Sequence, residues 1–280
     1  MQAPSAASRP ALTDRAALTA RRARALRGGM ADVLHRIAAD EIEDRLAEVN
    51  RPFTSEAVVT GFPDLWRALR PGAAVIVPDE ETLALAPGAH DLVIHAMALH
   101  WSDDPVGQIA QCRRALRPDG LFIGVCMGGE TLTELRATLT RAEAEVAGGL
   151  SPRVLPMGEI RDLGALLGRA GLALPVADLL RQRASYRDLP HLARDLRAMG
   201  ETNAMAARLR LPTRRELIGQ AAANYAADFP DRDDPSRIRA TYDLVFLTGW
   251  APSDDQQKPL RPGSAQMRLA DALKQNRNDP

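Results

Sequence analysis

Two cysteines, Cys112 and Cys126, stand among 280 residues and form no CxxC pair. That excludes a disulfide framework and a multi-cysteine zinc site, and it suits a reducing compartment. Lysine is nearly absent: Lys258 and Lys274 face 34 arginines. With so much alanine, this reads as the coding bias of a GC-rich bacterium. Aromatic residues make up only 4%. Net charge is absent too, since 36 basic residues cancel 36 acidic ones; no global field draws the chain to nucleic acid. The longest apolar run, Leu92 to Leu99, is eight residues and includes His95, whereas a membrane-spanning helix needs about 20. No HExxH, GxSxG or Walker motif occurs, so metal, serine and nucleoside-triphosphate chemistries lack a sequence basis.

What is present is patterned. The first 29 residues carry six arginines and a single acid, Asp14. Such a start resembles a mitochondrial transit peptide, but the Arg/Ala bias runs through the whole chain, and the preferred reading is a helix of the mature protein. The run Arg21-Arg22-Ala23-Arg24 reads as a solvated face, with no interleaved aromatics for nucleic acid. Gly28-Gly29 breaks this helix. Met30, Val33, Ile37, Ala38, Ile42, Leu46 and Val49 then recur at helical spacing, until Asn50 and Pro52 end the second helix.

From there the pattern changes. Ala57-Val58-Val59, Ala73 to Val77, Asp91 to Met97 and Leu121 to Cys126 are short apolar runs of the kind found in strands covered on both faces. Helices lie between them, at Pro63 to Leu69 and at Asp104 to Leu116, with Pro118-Asp119-Gly120 turning into the fourth strand. Strands alternating with helices predict an α/β doubly wound domain. After Gly128-Gly129 the spacing predicts four helices, around 132–146, 160–170, 192–199 and 216–229. A last strand alternates from Tyr242 to Trp250. The expected organisation is a helical extension over 1–50, an α/β domain over 51–250 with a helical insertion at about 130–235, and a polar tail over 251–280 holding a short helical stretch near Met267 to Leu273.

Ligands of open α/β sheets bind beyond the carboxyl ends of the strands. Asp79 and Glu80 follow one strand end; His100 and Trp101 follow another; Gly128, Gly129 and Glu130 follow a third. Asp79 reads as a ligand contact or a loop cap, His100 as a site residue or a satisfied histidine. The tight turn at the two glycines would leave N–H groups free at the Glu130 helix for an anionic group. Arg136 and the turn Gly200-Glu201-Thr202-Asn203 are further candidate contacts, or else caps and solvated faces. Cys112 and Cys126 sit in apolar patterns as buried small hydrophobes.

Several contiguous strings carry a resemblance. They are Leu99-His100-Trp101, Ala115 to Arg136 (ALRPDGLFIGVCMGGETLTELR), Glu143 to Pro156, Asp162 to Gly171 and Asp195 to Ala204 (DLRAMGETNA). Thr248-Gly249-Trp250, the Pro262–Ala265 string and Thr13-Asp14-Arg15 complete them. On these the chain resembles class I S-adenosylmethionine-dependent methyltransferases. Within them it is similar to the malonyl-carrier-protein O-methyltransferase group. It is more similar still to the NADH dehydrogenase (complex I) assembly-factor group and its alphaproteobacterial relatives. The resemblance covers roughly 12–50 and 79–274. It implies a Rossmann-like fold and S-adenosylmethionine as cofactor. As partner it implies a protein substrate or respiratory-complex subunit that is methylated, hydroxylated on arginine or simply bound. The location expected from the two unpaired cysteines and the coding bias is the bacterial cytoplasm, or the mitochondrial matrix if the start is a transit peptide.

Residues 51–78 depart from that family. Its first strand ends in an acid and a glycine-rich turn whose N–H groups meet the cofactor. Here the stretch is Val58 to Trp66 (VVTGFPDLW), and Gly61 alone remains, followed by Phe62 and Pro63. The family's second strand ends in an acid for the ribose hydroxyls. Between Gly61 and Asp79 there is room for one helix and one strand only, and that strand matches the family's third. The cofactor half is therefore expected to be shortened, with Gly61, Asp79 and Glu80 as its remaining candidates and weak or no cofactor binding. The substrate side should retain His100, Trp101, Gly128, Gly129 and Glu130 in one cleft. Two functions follow: an enzyme of the family with a degenerate cofactor motif, or a non-catalytic assembly or binding protein.

Overall fold

A computed structural model describes residues 11–49 and 51–256. Asn50, Lys258, Lys274, the Pro262–Ala265 string and the helical stretch near Met267 to Leu273 lie outside the described residues. Asp14 starts α1 (Arg15–Arg27) by accepting the Ala17 N–H at 3.0 Å, and Gly28 ends it. Helix α2 (Val33–Glu48) follows. The order then runs β1 (Glu56–Thr60), α3 (Pro63–Leu69), β2 (Val75–Pro78), β3 (His90–Ala96), a 3-10 turn (Leu99–Trp101) and α4 (Pro105–Ala115). It continues through β4 (Leu116–Gly128), α5 (Thr133–Ala147), α6 (Ile160–Arg169), β5 (Ala173–Tyr186), α7 (Leu189–Met199), α8 (Arg215–Asp228) and β6 (Ile238–Trp250).

The six strands form one sheet in the order β2-β1-β3-β4-β6-β5. The first four are parallel; β6 lies antiparallel to β4, and β5 antiparallel to β6. The fold is thus the α/β, Rossmann-like sheet that the apolar runs predict. Each run alternates between two cores. Val58, Ile94 and Ile123 face the layer of α2, α5, α7 and α8. Val59, Val93, Phe122 and Cys126 face α4 and α6. The Pro118-Asp119-Gly120 turn is real, although it interrupts what counts as one long strand. Asp119 has φ 60°, and the register jumps from His90↔Leu116 to Leu92↔Leu121.

One element departs from expectation. The stretch 130–235 is no purely helical insertion, because β5 crosses it for 14 residues. Its pattern hides it: Pro175 and the charged Arg181 and Arg183 belong to an edge strand with one face to solvent. Edges tolerate proline and are guarded by charge. The seam on α5 packs against α8, with Ala142 fully buried and Leu135 nearly so.

The strand before Asp79 pairs directly with β1, from Ala57↔Val75 to Thr60↔Pro78, and no described strand lies between them. The Asp79 N–H donates to the Thr60 carbonyl at 3.2 Å. The acid after β2 therefore stands immediately beside the turn after β1.

Candidate functional site

The carboxyl ends of β1, β2 and β3 hold a cluster of buried ionisable groups, and its centre comes from α1. Arg22 donates twice to Asp79, Nη1 to Oδ1 at 2.6 Å and Nη2 to Oδ2 at 3.1 Å. Arg15, two turns earlier on the same helix, adds bonds to Asp79 Oδ2 at 3.3 Å and to its carbonyl at 2.5 Å. Arg22 and Asp79 are only 8% and 7% exposed. Burial alone would raise the Asp79 carboxyl; the Arg22 charge and its hydrogen bonds outweigh that and hold it below the usual carboxylate range.

The Arg22 guanidinium also lies against Gly61, so that a Cβ there would collide with it. Phe62, the bulky residue after Gly61, does not fill this spot. Its ring turns into the core, edge-on to His35 at 5.2 Å and beneath Arg22 at 5.7 Å. Trp66, one turn into α3, donates its Nε1–H to His35 Nδ1 at 3.0 Å. That bond requires a neutral His35, and burial pushes its pKa down to about 4.

Glu80 is exposed, and its carbonyl accepts from Gln108 at 2.7 Å. Gln108 also meets His95 Nε2 at 3.3 Å, while His95 Nδ1 is buried and meets no partner among the described residues. A cavity of about 160 Å³ opens here, lined by Asp79, His95, Gln108 and Arg15 among others.

Beyond the end of β3, His100 and Trp101 converge on Glu201. Trp101 Nε1 donates to Glu201 Oε2 at 2.7 Å, and His100 Nε2 lies 3.2 Å from the same oxygen. Burial would raise the Glu201 carboxyl, but His100, Arg22 and the Trp101 N–H bring it below its ordinary value. Trp101 also lines a mostly apolar cavity of about 140 Å³ shared with Met127, Leu132, Leu135, Leu155 and Leu196.

The glycines after β4 do not join that cavity. Gly128, Gly129 and Glu130 sit toward β6 instead. The Gly129 N–H goes to the Gly158 carbonyl at 2.9 Å, Thr131 to Gly128 at 3.1 Å and Leu132 to Thr241 at 2.8 Å. The Glu130 N–H goes to Asp243 Oδ2 at 2.8 Å. The turn thus offers no free amide to an anionic ligand, because the fully buried Asp243 has taken that place. Arg181 completes the knot with bonds to Asp243 at 2.7 and 2.9 Å and an ion pair to Glu130 at 2.6 Å. Gly129 at φ 53° fits only because no Cβ points at Asp243. Arg136 binds the Leu155 carbonyl, Thr202 receives Arg24, and Asn203 donates to the Pro152 carbonyl.

Sequence reasoning misses Arg15, His35, Arg181 and Asp243 as site residues, and it places Arg22 on a solvated face. A signal for Arg22 exists: Leu18, Arg22 and Ala25 share one helical face, and all three are buried. Both cysteines are buried and free, as expected, and burial raises both thiols, that of Cys126 to about 12. Among the described residues no group of histidines, cysteines and acids could hold a metal ion, and no helix is long and apolar enough to cross a membrane.

Residues 55–124 match the family described as "Methyltransferase domain". Together with the parallel sheet and the relatives below, this match makes the chain a protein of the class I S-adenosylmethionine-dependent methyltransferase family. The match takes in most of 51–78, the stretch that departs from the family's cofactor turn. Its curated relatives make the kinship narrower. It is 38% identical over 202 residues to the zebrafish (Danio rerio) protein named arginine-hydroxylase NDUFAF5, mitochondrial, covering 72% of this chain and 62% of that one. The human protein of the same name is 36% identical over 201 residues, 72% of this chain and 57% of that one. The malonyl-[acyl-carrier protein] O-methyltransferase of Laribacter hongkongensis is 35% identical over 191 residues, 68% and 61% of the two chains. The chain spans about 60% of the length of these relatives.

Proposed function

We propose that this chain is a non-catalytic, protein-binding member of the family, acting in the assembly of a respiratory complex without S-adenosylmethionine. One observation carries the reading: Arg22 lies in the space over Gly61 and holds both carboxylate oxygens of Asp79. Gly61 is the only glycine left of the cofactor turn, and Asp79 is the acid beside it. A cofactor of this size depends on a few placed polar groups in a mostly apolar pocket. Here the acceptor is engaged by a buried arginine, the cradle is filled by the same group, and Pro63 lacks an N–H. The residues present do not fit S-adenosylmethionine.

Five of the relatives are named arginine-hydroxylase NDUFAF5, mitochondrial. The assembly role follows the resemblance to the complex I assembly-factor group, and the absence of catalysis is where this reading parts from the hydroxylase name. The partner on this reading is a protein subunit, not nucleic acid. A reducing compartment goes with it, the bacterial cytoplasm or its matrix counterpart, in keeping with two free buried thiols. The enzyme reading is the outcome that the test can return. Isothermal calorimetry of the purified full chain with S-adenosylmethionine should give a dissociation constant of about 0.1 mM or weaker, or no binding. Loss of two charge-assisted contacts costs about 1.5–3 kcal/mol each, a hundredfold or more on a micromolar site. A dissociation constant in the low micromolar range, or stoichiometric copurified cofactor, overturns the proposal.

A further inference from the structure

The cavity beside Trp101 shares part of its wall with a depression on the surface. Arg153 and Asn203 line both, and the wider depression is lined also by Arg21, Arg208, Leu209, Arg210 and Ile218. The two spaces adjoin at Arg153 and Asn203, the cavity mostly apolar and the depression basic, and together they make a candidate groove. The rim charge is in excess of its counterions. Asp14 is shared between Arg208 at 2.9 Å and Arg210 at 3.4 Å, and Glu143 is held by Arg153 at 2.7 Å. Among the described residues Arg21 and Arg24 meet no carboxylate; Arg21 bonds a carbonyl and Arg24 a threonine hydroxyl. Both have their pKa lowered, by burial first and then by neighbouring arginines, among them Arg208 and Arg197. Leu209 and Leu211 stand 50% and 71% exposed on the same segment as Arg208 and Arg210.

The inner slot has the size of one side chain. A dry apolar cavity of about 150 Å³ accepts a benzene molecule, and this one holds about 140 Å³. Trp101, Met127, Leu135, Leu155 and Leu196 give its wall an apolar part, and Glu201, already engaged by Trp101 and His100, a polar one. Nucleic acid would need exposed aromatic faces for stacking, and Trp101 is buried at 2% exposure.

We infer that this groove docks an acidic protein segment that places one leucine-, methionine- or phenylalanine-sized side chain in the slot beside Trp101, its carboxylates facing Arg21, Arg153, Arg208 and Arg210. The inference rests on the protein-binding reading and names the chemistry of the partner. Charge complementarity of this kind speeds and orients encounter, while the buried apolar anchor supplies the hold.

Fluorescence anisotropy on the full chain tests it, with a fluorescein-labelled twelve-residue peptide of glutamates around one central leucine. Binding should weaken at least tenfold when the leucine is replaced by glycine, because that removes the burial of one apolar side chain. Arg210→Glu, at a side chain 73% exposed, should weaken binding severalfold and leave the melting temperature unchanged. Ala193→Trp, at an exposed position of α7 beside the slot, should block the leucine peptide yet leave the glycine peptide unchanged. Equal affinity for the two peptides, tighter binding of single-stranded RNA or of phosphatidylglycerol vesicles, or no binding at all overturns the inference. Low-micromolar S-adenosylmethionine binding in the calorimeter would overturn the proposed function instead, so the two failures are distinct.

Discussion

Replacing Arg22 by methionine keeps much of the length of the side chain and removes its charge. Asp79 would then be left 7% exposed with Arg15 as its remaining cationic partner. Arg15 is a weak substitute: its side chain is 42% exposed, and its bond to the carboxylate is 3.3 Å long against 2.6 Å for Arg22. Breaking a buried ion pair from one side costs about 3–5 kcal/mol, because the other charge stays buried and uncompensated. The variant should therefore lose about 3 kcal/mol or more in urea unfolding at pH 7. Asp79→Leu in the Arg22→Met background should recover most of the loss, since a buried pair replaced by apolar groups of similar volume is often neutral. The pH dependence has a definite sign. In the parent, Asp79 is depressed by Arg22, so its contribution is present above the ordinary carboxylate range and is lost as pH falls below it. In the variant, burial acts almost unopposed and the carboxyl rises. The deficit between parent and variant should then shrink as pH falls toward about 3.5, where a neutral Asp79 is tolerated. A loss under about 1 kcal/mol, or a loss undiminished by Asp79→Leu, would refute the claim that this pair holds α1 onto the strand ends.

His35 supplies an acid-sensitive element of its own. Its folded pKa is depressed from 6.5 to about 4, so the unfolded chain takes up the proton first. Stability should be full above about pH 6.5 and fall by about 3 kcal/mol as pH drops to about 4, a slope that His35→Gln should flatten in urea titrations at several pH values. Asp243→Asn should cost about 2–4 kcal/mol, because it weakens charge-assisted bonds from Arg181 and the Glu130 N–H at a fully buried site; chemical denaturation measures it, and an unchanged midpoint would rule the knot out as a support of the β4–α5 turn. Trp101→Phe keeps an aromatic ring but strips Glu201 of its 2.7 Å donor, and should lower stability by about 1.5–3 kcal/mol, read from the same unfolding curve against Trp101→Phe/Glu201→Gln.

The architecture is legible wherever burial on both faces forces an unbroken apolar run. In β1, Ala57-Val58-Val59 has a neighbouring strand on each side and a helical layer on each face, and all three side chains are fully buried. A polar residue there would lose its water without gaining a partner. Within Tyr242 to Trp250, Leu244 to Leu247 are apolar on both faces for the same reason: β6 lies between β4 and β5, with Leu244 and Phe246 in one core and Val245 and Leu247 in the other. β5 escapes for the converse reason: as the sheet edge it is half solvated, and its Arg181 and Arg183 are what an edge requires rather than evidence against a strand. The shortening of the cofactor half is legible by counting, because 17 residues between Gly61 and Asp79 leave no length for a further strand, and β2 indeed pairs straight onto β1.

The site is legible only in part, and what is missed concerns charge. Position in the chain picks out Asp79, His100 and Trp101, because strand ends are where an α/β sheet exposes functional groups. What these residues touch depends on pairs far apart in sequence: Arg22 with Asp79, Trp101 with Glu201, Glu130 with Asp243. An arginine in a run of arginines looks solvated by default, since burying a guanidinium alone is prohibitive. Burial becomes tolerable only with a partner of opposite charge, and that partner lies 57 residues away. Helical spacing is the sole local hint, with Arg22 between Leu18 and Ala25 on the buried face of α1. A buried face of that composition demands an acid at the strand ends to meet it, and Asp79 stands there. The same demand explains why the helix at the start of the chain and the shortened turn after β1 belong together. A glycine-rich turn with room for a cofactor would leave the Arg22 guanidinium without the close packing on Gly61 and the adjacent carboxylate that allow it to be buried.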